Sequence, residues 1–192
     1  MKLRSTHSRC SPSRWFLFPA VLFFFLAQTN ATTLLKLHLY ELLEKSSAVA
    51  RMRCLGSESF WDKGEIWTNT KFEVISQLKG HLPGRVVVRM LGGKLGHLSS
   101  RVDGAPAFQP GEEVYLFLWG PASEPLGIVG WGQGTFRIQR DGSTGLETVT
   151  QDSAETPLFD ARTKEFSPSG IRNVPLPEFL EKLRKELVRS SK

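Results

Sequence analysis

Between residues 48 and 150 the apolar side chains recur every second residue, in short runs that turn residues interrupt. Ala48, Ala50, Met52 and Cys54 alternate with Val49, Arg51, Arg53 and Leu55, so the small apolar set faces one way. After Asp62-Lys63-Gly64-Glu65, a turn signal, Ile66 to Leu78 continues the period. There Ile66, Thr68, Thr70, Phe72 and Val74 take one face and Trp67, Asn69, Lys71 and Glu73 the other. Gly80 and Pro83-Gly84 end that strand. Arg85 to Leu91 is the next, stopped by Gly92-Gly93, and Lys94 to Glu112 reads as loop. Val114 to Trp119 (VYLFLW) is apolar on both faces, which predicts a central strand covered on each side. Ile128 to Trp131 and Thr135 to Arg140 read as a glycine-bridged pair. Asp141-Gly142 reads as a hairpin-type turn and Leu146 to Thr150 as the last strand.

Helical periodicity occurs only at the two ends of this region. Leu37 to Ser46 predicts a short N-terminal helix with Leu39, Leu42 and Leu43 on one face. Pro177 to Arg189 predicts an amphipathic C-terminal helix. Its proline and acids stand at the start, its bases at the end, and Phe179, Leu180, Leu183 and Leu187 form one stripe. Residues 151–173 have weak periodicity and read as an extended segment. The expectation is therefore a mainly β fold: a small barrel or sandwich spanning 32–150 with its N-terminal helix, then the extended segment, then a C-terminal helix within 174–192. A chain of 192 residues has room for one such domain.

The first 31 residues have a different character. Lys2, Arg4, Arg9 and Arg14 form a basic stretch, Trp15 to Ala27 is a nearly continuous apolar run of 13 residues, and Thr29-Asn30-Ala31 offers small residues for cleavage. This is the layout of a secretory signal peptide, too short for a spanning helix. Its removal leaves 21 bases against 19 acids, so the net charge falls from +6 to +2. The mature product is expected to be secreted or periplasmic, with no integral membrane segment. Near neutrality also argues against nucleic acid, which requires a basic groove with stacking aromatics. Asn30-Ala31-Thr32 matches a glycosylation acceptor but straddles the proposed cleavage site.

Residue types that carry chemistry are sparse. Cys10 leaves with the signal, and Cys54 shares a face with Ala50 and Met52, which predicts a small core hydrophobe rather than a reactive thiol. His38, His81 and His97 show no ligand spacing, so no metal and no cofactor is expected. Gly130-Trp131-Gly132-Gln133-Gly134 precedes a strand rather than a helix, unlike a phosphate loop, and predicts a bulge or tight strand crossing. No nucleophile elbow or zinc-protease motif occurs. Phe60, Trp61 and Trp67 cluster around the first turn. They are the candidate binding surface, with the packed end of a barrel as the alternative.

Trp67 to Gly80 (WTNTKFEVISQLKG), Arg85 to Gly96 (RVVVRMLGGKLG) and Pro110 to Leu118 (PGEEVYLFL) together resemble an uncharacterised family of secreted bacterial proteins. The order of elements over residues 48–140 also resembles the netrin-like and tissue-inhibitor-of-metalloprotease domains. That resemblance implies a five-stranded OB-type barrel. Those inhibitors reach the protease zinc with a disulfide-tethered N-terminal cysteine, and no cysteine stands near the expected mature N-terminus here. Three functional expectations follow. The first is an exported non-enzymatic domain that binds a protein or envelope component. The second is an inhibitor or accessory factor of a secreted protease, and the third a secreted hydrolase with an unrecognised site.

Overall fold

The computed structural model describes residues 34–168 and 170–190. The expected signal segment 1–31, with Cys10, and the Asn30-Ala31-Thr32 string lie outside the described residues. What is described is a mainly β unit built on one antiparallel sheet with two helices on one of its faces.

The long hairpin predicted around Asp62 is its spine: β1 (Ala48–Asp62) pairs antiparallel with β2 (Glu65–Lys79). The two-residue connection places Lys63 and Gly64 at φ 47° and 87°, the twist a tight hairpin demands of both turn residues. Register shifts at Val49/Ala50, Arg51/Met52 and Cys54/Gly56 coil β1 strongly. Its first half therefore pairs on the other side with β6 (Glu113–Trp119), from Ala48↔Leu118 to Arg53↔Glu113. Beyond β2 lies β3 (Arg85–Leu91). The segment read as loop from Lys94 holds a small hairpin of β4 (Gly93–Leu95) and β5 (Leu98–Ser100).

The expected glycine-bridged pair is corrected in its pairing. β7 (Gly127–Ile128) and β8 (Thr135–Arg140) do not pair with each other but lie end to end along β6. A single 3-10 turn, Trp131–Gly134, joins them in place of a bulge. β9 (Glu147–Gln151) follows a loop in which Asp141 accepts four hydrogen bonds from the backbone and hydroxyls of Ser143 and Thr144. Residues 151–173, expected to be extended, hold a further hairpin of β10 (Pro157–Asp160) and β11 (Glu165–Pro168). Finally β12 (Val174–Pro175) pairs with β9 and leads directly into α2 (Leu176–Ser190).

The strand order β12-β9-β8-β6-β1-β2-β3 is open, so the barrel expected from the sequence is not closed. β3 meets the other side of the sheet at one parallel bridge, Val88↔Leu126, where Arg89 donates to the Leu126 carbonyl and Leu126 to that of Val87, both at 2.8 Å. A ladder needs a continued run of such pairs, and here the chain turns away to pair with β6 instead.

Both faces of the central strands are buried, as the unbroken apolar run of β6 predicts. On the concave face Ala50, Met52, Cys54, Phe72, Val88, Leu116 and Ile128 pack together with Phe108. On the other, Val49, Tyr115, Phe117, Phe136 and Val149 meet Leu42 and Leu43 of α1 (Leu39–Lys45) and Phe179 and Leu183 of α2. Lys79, at the end of β2, donates to the Leu43 and Ser46 carbonyls and so closes the C-terminus of α1. Where the helices stop, the same face carries an ion ladder across strands. It runs Glu73–Arg53–Glu113–Arg51–Glu147, with Arg51 also donating from its Nε to Glu113.

Candidate functional site

β1 and β2 put Ser57, Ser59, Thr68 and Thr70 on the concave face as two facing pairs. Ser57 Oγ lies 2.9 Å from Thr70 Oγ1 and Ser59 Oγ 2.9 Å from Thr68 Oγ1. Thr68 also donates to the Gly92 carbonyl at 2.6 Å, which ties the rungs to the start of the β4–β5 hairpin. Gly93 crosses directly over them: a Cβ there would sit 2.2 Å from Thr68 Oγ1 and 2.5 Å from Ser59 Oγ. Glycine is required by this approach.

These rungs form one wall of a half-open cleft of about 1230 Å³. The opposite wall is the 3-10 turn with Trp131, the loop through Val102, Gly104 and Phe108, and the Arg137–Asp152–Ser153 group. The turn is held in place by its backbone. Gly132 donates to the Gly104 carbonyl at 2.9 Å and Ser153 to that of Gly132 at 3.3 Å. Lys94 and Arg101 stand exposed on the cleft lining, brought there by the β4–β5 hairpin.

The electrostatics of the cleft are asymmetric. Arg137 donates to both carboxylate oxygens of Asp152, at 2.5 and 2.8 Å, and to Glu112 at 2.8 Å, while its guanidinium lies over the Phe108 ring. Burial works against the Arg137 charge, but the bonds to Asp152 and Glu112 outweigh it and hold its pKa above the ordinary value. The acids are thus committed. Ser153 is 7% exposed, and its buried Oγ has no hydrogen-bond partner among the described residues. Such a hydroxyl is unusual in a folded core.

Phe60 and Trp67 face each other across the β1–β2 ladder, both half-buried, and the Arg89 guanidinium lies 5.1 Å from the Phe60 ring centroid. Trp61 pairs with Ile66 on the opposite face and is 56% exposed. The hairpin therefore separates Trp61 from the other two, and none of the three lines the cleft. Strand alternation explains this, because neighbours in sequence point to opposite sides.

Cys54 is buried at 1% exposure, and burial pushes its thiol pKa up. His81 and His97 are exposed loop residues, whereas His38 stands ahead of α1 beside Asp160. Among the described residues no group of three or more His, Cys, Asp or Glu is placed to hold a metal ion. Nor is any described helix long and apolar enough to cross a membrane. A smaller cavity of about 540 Å³ lies among Tyr40, Glu44, Arg162, Glu186 and Arg189.

Sequence reasoning missed the cleft. The hydroxyls at 57, 59, 68 and 70 carry the one available signal, an i, i+2 spacing on two strands of one hairpin. Trp131, Arg137 and Ser153 join them only through the tertiary fold. No family model, curated protein or solved structure matches this chain.

Proposed function

We propose that this chain is an exported, non-enzymatic binding domain that acts in the periplasm or outside the cell and receives a protein or envelope component in the cleft between the hydroxyl rungs and Trp131. What supports the reading is Ser153, a buried hydroxyl without a partner on the wall of a cleft large enough for a substantial ligand. An OB-like, netrin-like relation belongs to the same proposal. It is supported by β6 and β2 flanking β1, and by the parallel approach of Leu126 to β3.

Two measurements test it. The intact mass of the exported full-length chain should correspond to loss of residues 1–31, and a product that retains Met1 overturns the export signal. Thermal-shift screening of wild type with neutral, anionic and cationic ligands should give a shift with one class. Ala107→Trp, an exposed position on the cleft wall, should abolish it, while Val188→Trp on the outer side of α2 should not. No shift with any class, or equal shifts in Ala107→Trp, overturns the cleft as the binding site.

A further inference from the structure

β1 has a neighbour on both sides only as far as Cys54, whose N–H donates to the Glu112 carbonyl at 2.9 Å and whose carbonyl accepts the Gly111 N–H at 2.8 Å. Past that point Gly56, opposite Lys71, resets the register. The outward-facing residues then follow from β2. The bonds from the Gly92 N–H to the Ile66 carbonyl and from the Val74 N–H to the Gly84 carbonyl turn the even-numbered backbone of β2 toward β3, so its odd-numbered residues meet β1. Their partners are Gly56, Glu58 and Phe60. Ser57, Ser59 and Trp61 therefore aim their N–H and carbonyl groups away from β2, and among the described residues no other segment bonds to those groups. This is an open strand edge, and an extended backbone is what matches its alternating donors and acceptors.

The cleft borders this edge. Ser57 and Ser59 line it on one side, and Pro106, Ala107 and Gln109 on another. Side chains of an added strand alternate between two surroundings. On the convex side stand Glu58 and Asp62, and among the described residues neither is paired with a base. On the cleft side stand the hydroxyls of Ser57 and Ser59, with Lys94 and Arg101 also on the cleft lining. Bases are thus favoured beside the two acids and disfavoured toward the cleft. Resting on the reading that this cleft receives a protein component, we infer that an extended basic segment of a partner protein adds to β1 as an antiparallel strand along Ser57, Ser59 and Trp61. Its bases lie next to Glu58 and Asp62, and its uncharged side chains turn into the cleft.

The test is calorimetric titration of the full chain with a short peptide of alternating lysine and threonine, with its glutamate–threonine counterpart as comparison. The lysine peptide should bind at least about tenfold more tightly, lose about fivefold in the Glu58→Gln/Asp62→Asn variant, and weaken as salt rises. Hydrogen exchange should slow on binding at the amides of Ser57, Ser59 and Trp61. In an antiparallel ladder the threonines stand opposite Ser57 and Ser59 and give their own N–H groups to the edge. N-methylation of the threonine amides should therefore abolish binding, whereas N-methylation of the lysine amides should not. Binding that survives threonine N-methylation, or that leaves exchange at those three amides unchanged, overturns strand addition. Equal affinity for the glutamate peptide, or no effect of the double variant, overturns recognition of bases. Protection of the same amides in a dimer formed without peptide overturns the partner segment and assigns the edge to a second copy of this chain. Failure of both peptides while another ligand class still gives an Ala107→Trp-sensitive shift overturns this inference alone. Failure of every class removes the binding cleft itself.

Discussion

The side-chain carbonyl of Gln133 accepts the backbone N–H of Leu37 at 2.7 Å, joining residues 96 positions apart. The same amide donates to the Leu35 carbonyl at 2.9 Å. One side chain thus takes the place of a neighbouring strand for the segment ahead of α1, whose other edge pairs with β10 at Leu35↔Phe159. Gln133 is 5% exposed. Gln133→Ala leaves the part-buried Leu37 N–H and Leu35 carbonyl without this partner and should cost about 1–2 kcal/mol. Hydrogen exchange should quicken selectively at residues 35–38, and uniform loss of protection across β6 as well would contradict this local role.

Phe179 is the anchor of α2. Its ring lies 5.1 Å from that of Phe136 and 5.7 Å from that of Tyr115, and it is fully buried. Phe179→Ala should cost about 3–5 kcal/mol through lost burial and the cavity left behind. Denaturant unfolding measures it, and a cost near that of the exposed neighbour Val188→Ala would show that α2 does not hold the sheet.

Asp160 accepts the Arg162 backbone N–H at 2.9 Å and the Lys36 ammonium at 3.0 Å, and these two, the N–H first, pull its pKa down to about 2. An unfolded aspartate titrates near about 3.9. Between these values the unfolded chain binds more protons than the native one, so stability rises with pH. The contribution of Asp160 is complete above about pH 4 and is lost as the pH falls through about 2. Asp160→Asn should flatten the acid limb of the Tm profile in that window, and an unchanged slope there would show that Asp160 does not set it.

Cys54 is enclosed by the concave core, and burial favours its neutral thiol. Native protein should react with a thiol reagent far more slowly than unfolded protein, at a rate that tracks opening of the β1–β6 ladder. Labelling as fast as that of a free thiol would place Cys54 at the surface.

The run Val114 to Trp119, the alternation of β1 and β2, and the stripe of α2 were legible because burial periodicity is a local property. A residue's neighbours at i+2 or i+4 share its face whatever the rest of the chain does. The pairing of β7 and β8 with β6, and the β10–β11 hairpin, were not legible. Their strands are two to six residues long, too short for a period to stand out, and their partners are chosen by distant segments.

The site divides the same way. The sequence by itself determined a mainly β domain with a helix near each end and a buried Cys54. Only the tertiary structure decided that the sheet stays open and that Lys94, Arg101, Trp131 and Ser153 meet the hydroxyls of the first hairpin across a cleft. Faces follow from backbone geometry one residue at a time, whereas a cleft is a relation between segments that the chain brings together from positions 57 to 153, and no local pattern encodes it.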